Sequence, residues 1–307
     1  VAKVCEEWFP KGSFSGQQSD GFYMHNVLKL QLDALVKNII YDWDFTIIIS
    51  GSGQVRVGKS TLAAQIGCYL SYMVWKIHGI ETKFSLKDNF VFDGTKLIEQ
   101  GTMLGTKFPY SPLIYDEAGA DLVGRKVMKA ATQQVLDYFR ECGQYNLFNI
   151  LVIPEFFDLP ATIGINRSKC LIDVRYSVDK QGLFKRGGFR FYSFPNKLNL
   201  YLRGKRTLNY NSYRPDFLGD FTQFFPLDVN EYKGIKQRVM KLRGNLLPNK
   251  VMFQRDALMN ILHKKFGMTL QQIADTITEE STFSISNQAI SLAIKGFPLR
   301  KGGFQAP

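Results

Sequence analysis

The run Phe45-Thr-Ile-Ile-Ile-Ser50, leading directly into Gly53-Gln-Val-Arg-Val-Gly58-Lys59-Ser60, constrains this chain more than any other feature. Consecutive β-branched and aromatic residues ending at a glycine read as a buried strand feeding a turn. The long apolar stretch from Ser60 to about His78 reads as a helix. The turn between them fits G-x-x-x-x-G-K-[ST] at every defined position, in the strand-to-helix setting that the pattern requires. Its glycines let backbone N–H groups curl round an anion, and the helix N-terminus adds positive potential. A glycine turn without a ligand is the alternative, and it does not call for the complete pattern.

The expected anion is a nucleoside triphosphate, with ATP and Mg²⁺ as the ligands. Gly53, Gly58, Lys59, Ser60 and Thr61 form the cradle: Lys59 reaches the β- and γ-phosphates, the Ser60 hydroxyl ligates Mg²⁺, and Thr61 bonds further phosphate oxygens. Downstream, Leu113-Ile-Tyr-Asp116-Glu117 is an apolar strand ending in two acids. Asp116 is assigned to Mg²⁺ and Glu117 to the base that orients or deprotonates the attacking water. The same two acids could instead cap the next helix.

An adjacent Asp-Glu pair resembles the additional-strand class of P-loop ATPases, in which another strand lies between those carrying the loop and the acids. A guanine-reading Asn-Lys-x-Asp is missing, Asn166-Arg-Ser-Lys169 being the nearest approach. Over roughly residues 45–178 the order of acids, helix, Arg/Gly turn and two apolar strands is similar to the HerA/FtsK group of DNA-pumping ATPases. That resemblance implies a RecA-like P-loop core, a homo-oligomer such as a ring, and an arginine acting on the neighbouring subunit's γ-phosphate. Arg140, in Tyr138-Phe-Arg-Glu-Cys-Gly143, holds the matching place, with Arg125 in Gly124-Arg-Lys126 as its rival. Where the group carries a polar sensor, usually Gln, this chain has Ile153-Pro154-Glu155.

Strands expected near 45–50, 89–92, 112–115, 148–153 and 170–178 alternate with helices, which makes the chain α/β with a mainly parallel sheet. Four segments follow: an N-terminal extension over 1–20, the ATPase core over 21–178, a basic aromatic appendage and linker over 179–247, and a helical module over 248–307. The net charge of +12 lies wholly in residues 171–307, the first 170 residues being balanced. A neutral catalytic half joined to a basic half is the pattern expected of a DNA-binding enzyme.

The runs GLFKRGGFRFYSF and LNLYLRGKR suggest hairpins. There Arg186, Arg190, Arg203, Lys205 and Arg206 would neutralise phosphates while interleaved rings from Phe184 to Tyr213 stack on bases. A small β core with a charged rim is the competing reading. Thr269–Ile277 and Ser284–Lys295, with Phe253–Phe266 as support, resemble a helix-turn-helix closed by Ile273, Ala274, Ile285, Ala289, Ile290 and Ala293. Ser286, Asn287, Gln288, Ser291 and Lys295 would then face a major groove, unless the module docks a protein.

Four scattered cysteines and three histidines give neither a zinc module nor a disulfide framework. The most apolar stretches are interrupted by Gln65 and by Pro154, Glu155 and Asp158, against membrane spans, and no signal peptide is read, so the expected location is cytoplasmic. Three functions remain open: a DNA translocase or packaging motor, a non-translocating ATP switch in replication or partition, and a sequence-specific regulator whose ATPase controls oligomerisation.

Overall fold

Strand pairing gathers the apolar runs into one sheet of seven strands. The computed structural model describes residues 2–3, 23–54, 56–116, 118, 130–244, 250–280 and 285–295. The sheet contains β3 (Phe45–Ser50), β4 (Phe90–Val91), β5 (Pro112–Asp116), β6 (Phe148–Val152), β7 (Ser168–Val178), β8 (Phe184–Tyr192) and β9 (Phe217–Asp220). A separate two-residue pair joins β1 (Ala2–Lys3) to β2 (Tyr23–Met24). Across the large sheet the order is β4-β5-β6-β3-β7-β8-β9. The first five run parallel, whereas β8 and β9 add antiparallel to β7 and to each other.

β6 therefore lies between the loop strand β3 and the acid strand β5, as the additional-strand resemblance implies. Register aligns Ile49 with Val152 and Val152 with Asp116, so the three strands end together on one edge. In an open parallel sheet that carboxyl edge is where ligands bind.

Helices cover both faces, which is why β3 and β6 are buried along their whole length. Ile48, Leu113, Tyr115, Leu151 and Leu171 share a core with Leu97 and Leu104 of α4 (Gly94–Lys107) and with Val135 and Phe139 of α5 (Ala130–Glu141). The alternate residues meet α2 (Lys59–His78), where a Cβ added at Gly67 would stand 3.1 Å from Ile114 Cδ1. α2 is buried continuously from Leu62 to Val74, the pattern of a helix enclosed on all sides. α1 (Asn26–Ile39) packs on it through the stripe Leu28, Leu32, Val36 and Ile39. The one-turn α3 (Leu86–Asn89) leads into β4.

The basic aromatic region differs from the hairpin expectation. Its first half does form a β7–β8 hairpin, but as part of the main sheet, with Phe189, Phe191 and Tyr192 buried. Its second half is α6 (Phe194–Gly204), although Leu198-Asn-Leu-Tyr-Leu202 alternates like a strand. Pro195 in the first turn starts the helix, and burial follows Lys197, Leu200, Tyr201 and Gly204, a helical spacing. The Lys197 ammonium is drawn inside to cap the π-turn Thr162–Arg167, donating to the Ile165 carbonyl at 3.2 Å and to Ser168. Burial lowers its pKa to about 8.

The chain divides into two compact units, 1–236 and 237–307, with the helix α7 (Val229–Gly244) running from the first into the second. In the second unit α8 (Lys250–Lys265), α9 (Leu270–Glu280) and α10 (Asn287–Lys295) close on Met259, Ile273, Ala274 and Ile290. Ala289, expected in that core, is exposed. α10 begins three residues later than expected, with the Ser286 hydroxyl accepting from the Ala289 amide at 3.2 Å, so the core-facing stripe runs through the buried Ile290 and the partly buried Ala293 and Ile294.

Candidate functional site

The loop after β3 turns through left-handed residues at Ser52 (φ 47°), Gly53 (φ 72°), Arg56 (φ 58°) and Gly58 (φ 103°). Glycine meets that requirement freely, whereas Arg56 holds a strained conformation that points its side chain to the exterior. Gly58 caps α2, and Lys59 folds back beneath the loop, its Nζ donating to the Gln54 carbonyl at 2.6 Å. A Cβ at Gly51 would come within 2.9 Å of that nitrogen. The Gly51 and Gly53 amides both donate to the Pro154 carbonyl, at 3.4 and 3.0 Å, which ties the loop to the end of β6. Thr61 follows in the first turn of α2, half-buried.

Ser60 Oγ lies 3.1–3.2 Å from both carboxyl oxygens of Asp116, across the intervening strand. Asp116 is 1% exposed, and its Oδ2 also accepts from Tyr232 and from Lys236 Nζ at 3.1 Å, both on α7. Burial above all raises the Tyr232 pKa, so its phenol is a neutral donor. A serine hydroxyl and a buried carboxylate side by side are hard oxygen donors of the kind magnesium takes together with water and phosphate. Lys236 already places a positive charge on them, so the residues present fit the ion. Glu117 and Arg125 lie outside the described residues.

Glu155 is closer to the loop than its sequence position suggests. Its Oε1 accepts from the Tyr210 hydroxyl at 2.6 Å and the Phe157 amide at 3.2 Å. Its Oε2 lies 3.6 Å from the Cβ position of Gly53. Burial, outweighing those hydrogen bonds, raises its pKa.

Several site residues were not found from sequence. Asp173 pairs in register with Ser50 and accepts from Ser52 Oγ at 2.7 Å and Ser50 Oγ at 3.5 Å, while its Oδ2 has no hydrogen-bond partner among the described residues. Burial pushes its carboxyl up to about 6, against the lowering effect of Ser52 and Arg190. An aspartate inside Cys170-Leu-Ile-Asp173-Val was the available signal. Residues 221–228 form a strap over the loop helix. Phe221 lies against Gly58, where a Cβ would come within 3.1 Å of its ring, and Gln65 Nε2 donates to the carbonyls of Thr222 and Phe224 at 2.8 and 2.6 Å.

The remaining candidates are dispersed. Arg140 ends α5 in an exposed ion pair with Asp137 at 2.7 Å. Arg186 is exposed on β8, whereas Arg190 donates to the Tyr210 carbonyl and Asn211. Arg203, Lys205 and Arg206 belong to the end of α6 and the turn after it, Arg203 lying over the Tyr213 ring and Lys205 over that of Tyr201. Phe189, Phe191, Tyr192, Tyr201 and Tyr210 are buried, so these rings build core and cannot stack on bases. In the second unit Gln288 is exposed and Ser291 half-buried, Ser286 is spent as a cap, and Asn287 donates to Gln271 at 2.6 Å. The Lys295 side chain lies outside the described residues.

No family model and no curated protein matches this sequence. Among solved structures, the genome packaging NTPase B204 of Sulfolobus turreted icosahedral virus 2, in complex with ATP-gammaS, superposes with a TM-score of 0.33 at 17% identity, covering 50% of this chain and 94% of that one. The DNA-packaging ATPase B204 of Sulfolobus turreted icosahedral virus gives 0.33 at 20% identity, with 51% and 94% covered. The N-terminal domain of zonular occludens toxin from Neisseria meningitidis gives 0.37 at 14%, with 62% and 98% covered. Such loose superpositions fix no activity. The P-loop fold is identified by this chain's own strand order and loop. Among the described residues no helix is long and apolar enough to cross a membrane, and no cluster of His, Cys, Asp and Glu could hold a metal ion by itself.

Proposed function

We propose that the chain is a Mg²⁺-dependent ATPase that acts on DNA as a translocase or packaging motor. The observation that carries the ATPase reading is the Ser60–Asp116 contact, which joins the phosphate loop to the acid strand across β6. In this reading the amides at the start of α2 and Lys59 bind the phosphates, and Lys59 exchanges the Gln54 carbonyl for phosphate oxygens. Ser60 and Asp116 would hold the magnesium, which when bound neutralises charge on the β- and γ-phosphates. Glu117, the next residue after β5, takes the water proton, and Glu155, at the end of β6 beside the loop, stands in for the polar sensor. Arg140 or Arg125 would act across a subunit boundary in an oligomer.

The DNA part is supported by the charge asymmetry of the chain and by the packed helices α8, α9 and α10, the last of which exposes Gln288. ATP turnover measured with and without duplex DNA, beside displacement of a triplex strand, tests the whole reading. Turnover stimulated by DNA with strand displacement is expected. DNA affinity that changes between ATP and ADP without displacement would instead mark a switch, and strong preference for one site would mark a regulator.

A further inference from the structure

Asp116, the carboxylate assigned to magnesium, is already held by a cation of the chain itself. Lys236 Nζ stands 3.1 Å from Oδ2, with 23% of the lysine side chain exposed against 1% of the aspartate. Tyr232, one helical turn earlier, donates to the same oxygen. A carboxylate this buried requires a positive partner. A divalent ion bound at Ser60 and Asp116 would meet the same requirement, and a second cation on Oδ2 would then be repelled at close range.

The placement of the lysine gives that exchange a consequence. α7 is fixed at its start by Tyr232, packed among Phe90, Phe92 and Phe225. The strap before it is bound to α2 through Gln65 and to the loop through Phe221. Lys236 is the last residue of the first compact unit, and the same helix continues to Gly244 within the second. Its ion pair is therefore made where the helix leaves one unit for the other.

We propose that Lys236 is a tethered counter-ion, seated on Asp116 while the metal–nucleotide complex is absent and displaced when it loads, so that α7 beyond residue 236 loosens with occupancy of the site. The inference rests on the Mg²⁺–ATP reading and adds its regulation: loading would be signalled along α7 to the C-terminal unit.

Amide hydrogen exchange over 229–244 in the full chain, with calorimetry using a non-hydrolysable ATP analogue, tests it. In the native protein, analogue plus Mg²⁺ should speed exchange of residues 236–244 severalfold, and analogue with EDTA should not. Lys236→Met should exchange quickly in both conditions and bind the Mg²⁺–analogue complex about tenfold more tightly, because its free state lacks the competing cation. Lys236→Gln, which keeps a donor without charge, replaces it if that variant fails to fold. Analogue binding with unchanged exchange in the native chain overturns the counter-ion role and leaves the ATPase reading intact, as does weaker binding by either variant. No heat of binding for the native chain removes both.

Discussion

Asp116 takes donors from Ser60, Tyr232 and Lys236, and only the first is legible from spacing. The Gly-Lys-Ser turn and the acid pair are local patterns whose chemistry dictates their residue types. Tyr232 and Lys236 reach the site from far down the chain, where Asn-Glu-Tyr-Lys-Gly-Ile-Lys236 reads as any basic helix start. Lys59→Ala should abolish analogue binding by calorimetry, and Glu117→Gln should retain ATP while turnover falls by about a hundredfold or more; normal turnover in the second would reassign the base. Asp173 gives a test of stability. Its folded carboxyl titrates at about 6 against an unfolded value near 4, so it carries no penalty in acid and a growing one as pH rises through 6. Asp173→Asn should match the native chain near pH 4 and exceed it above pH 7 by up to about 3 kcal/mol in urea unfolding. Equal stabilities at both pH values would mean that the charge is compensated.

At the scale of elements, the parallel sheet was legible because its strands are buried on both faces and read as continuous apolar runs. The region after β7 was not, since a two-residue alternation and a helical stripe coexist in Leu198–Leu202 and only burial chooses between them. The strap over 221–228 has no periodicity at all, and its Phe-rich text gives no hint that it binds α2 through backbone carbonyls. Packing of α4 on α5 depends on Gly101, where a Cβ would stand 2.2 Å from the Tyr138 hydroxyl. Gly101→Ala should destabilise the fold by about 1–3 kcal/mol, and Tyr138→Phe should recover part of that loss by removing the nearest clashing atom. Thermal melts of the two single variants and the double variant decide it; additive losses would place the strain elsewhere.

For the whole molecule, the segregation of charge makes a prediction separable from catalysis. A chain ending at residue 244 should still bind the ATP analogue, because every contact described around Asp116 lies at or before Lys236. It should bind DNA more weakly and with a shallower dependence on salt, since the basic groups beyond residue 244 are gone. Filter binding over a salt series checks this, and an unchanged slope would place the DNA contacts on residues 180–214.

The carbonyl of Pro154 gathers two amides of the phosphate loop, and the next residue, Glu155, leans over the same loop. Whatever tilts the end of β6 must therefore carry the mouth of the cradle with it. A nucleotide that displaced Glu155 would move a clamp already closed on Gly51 and Gly53, so its arrival and departure would be felt as one displacement of strand and loop together.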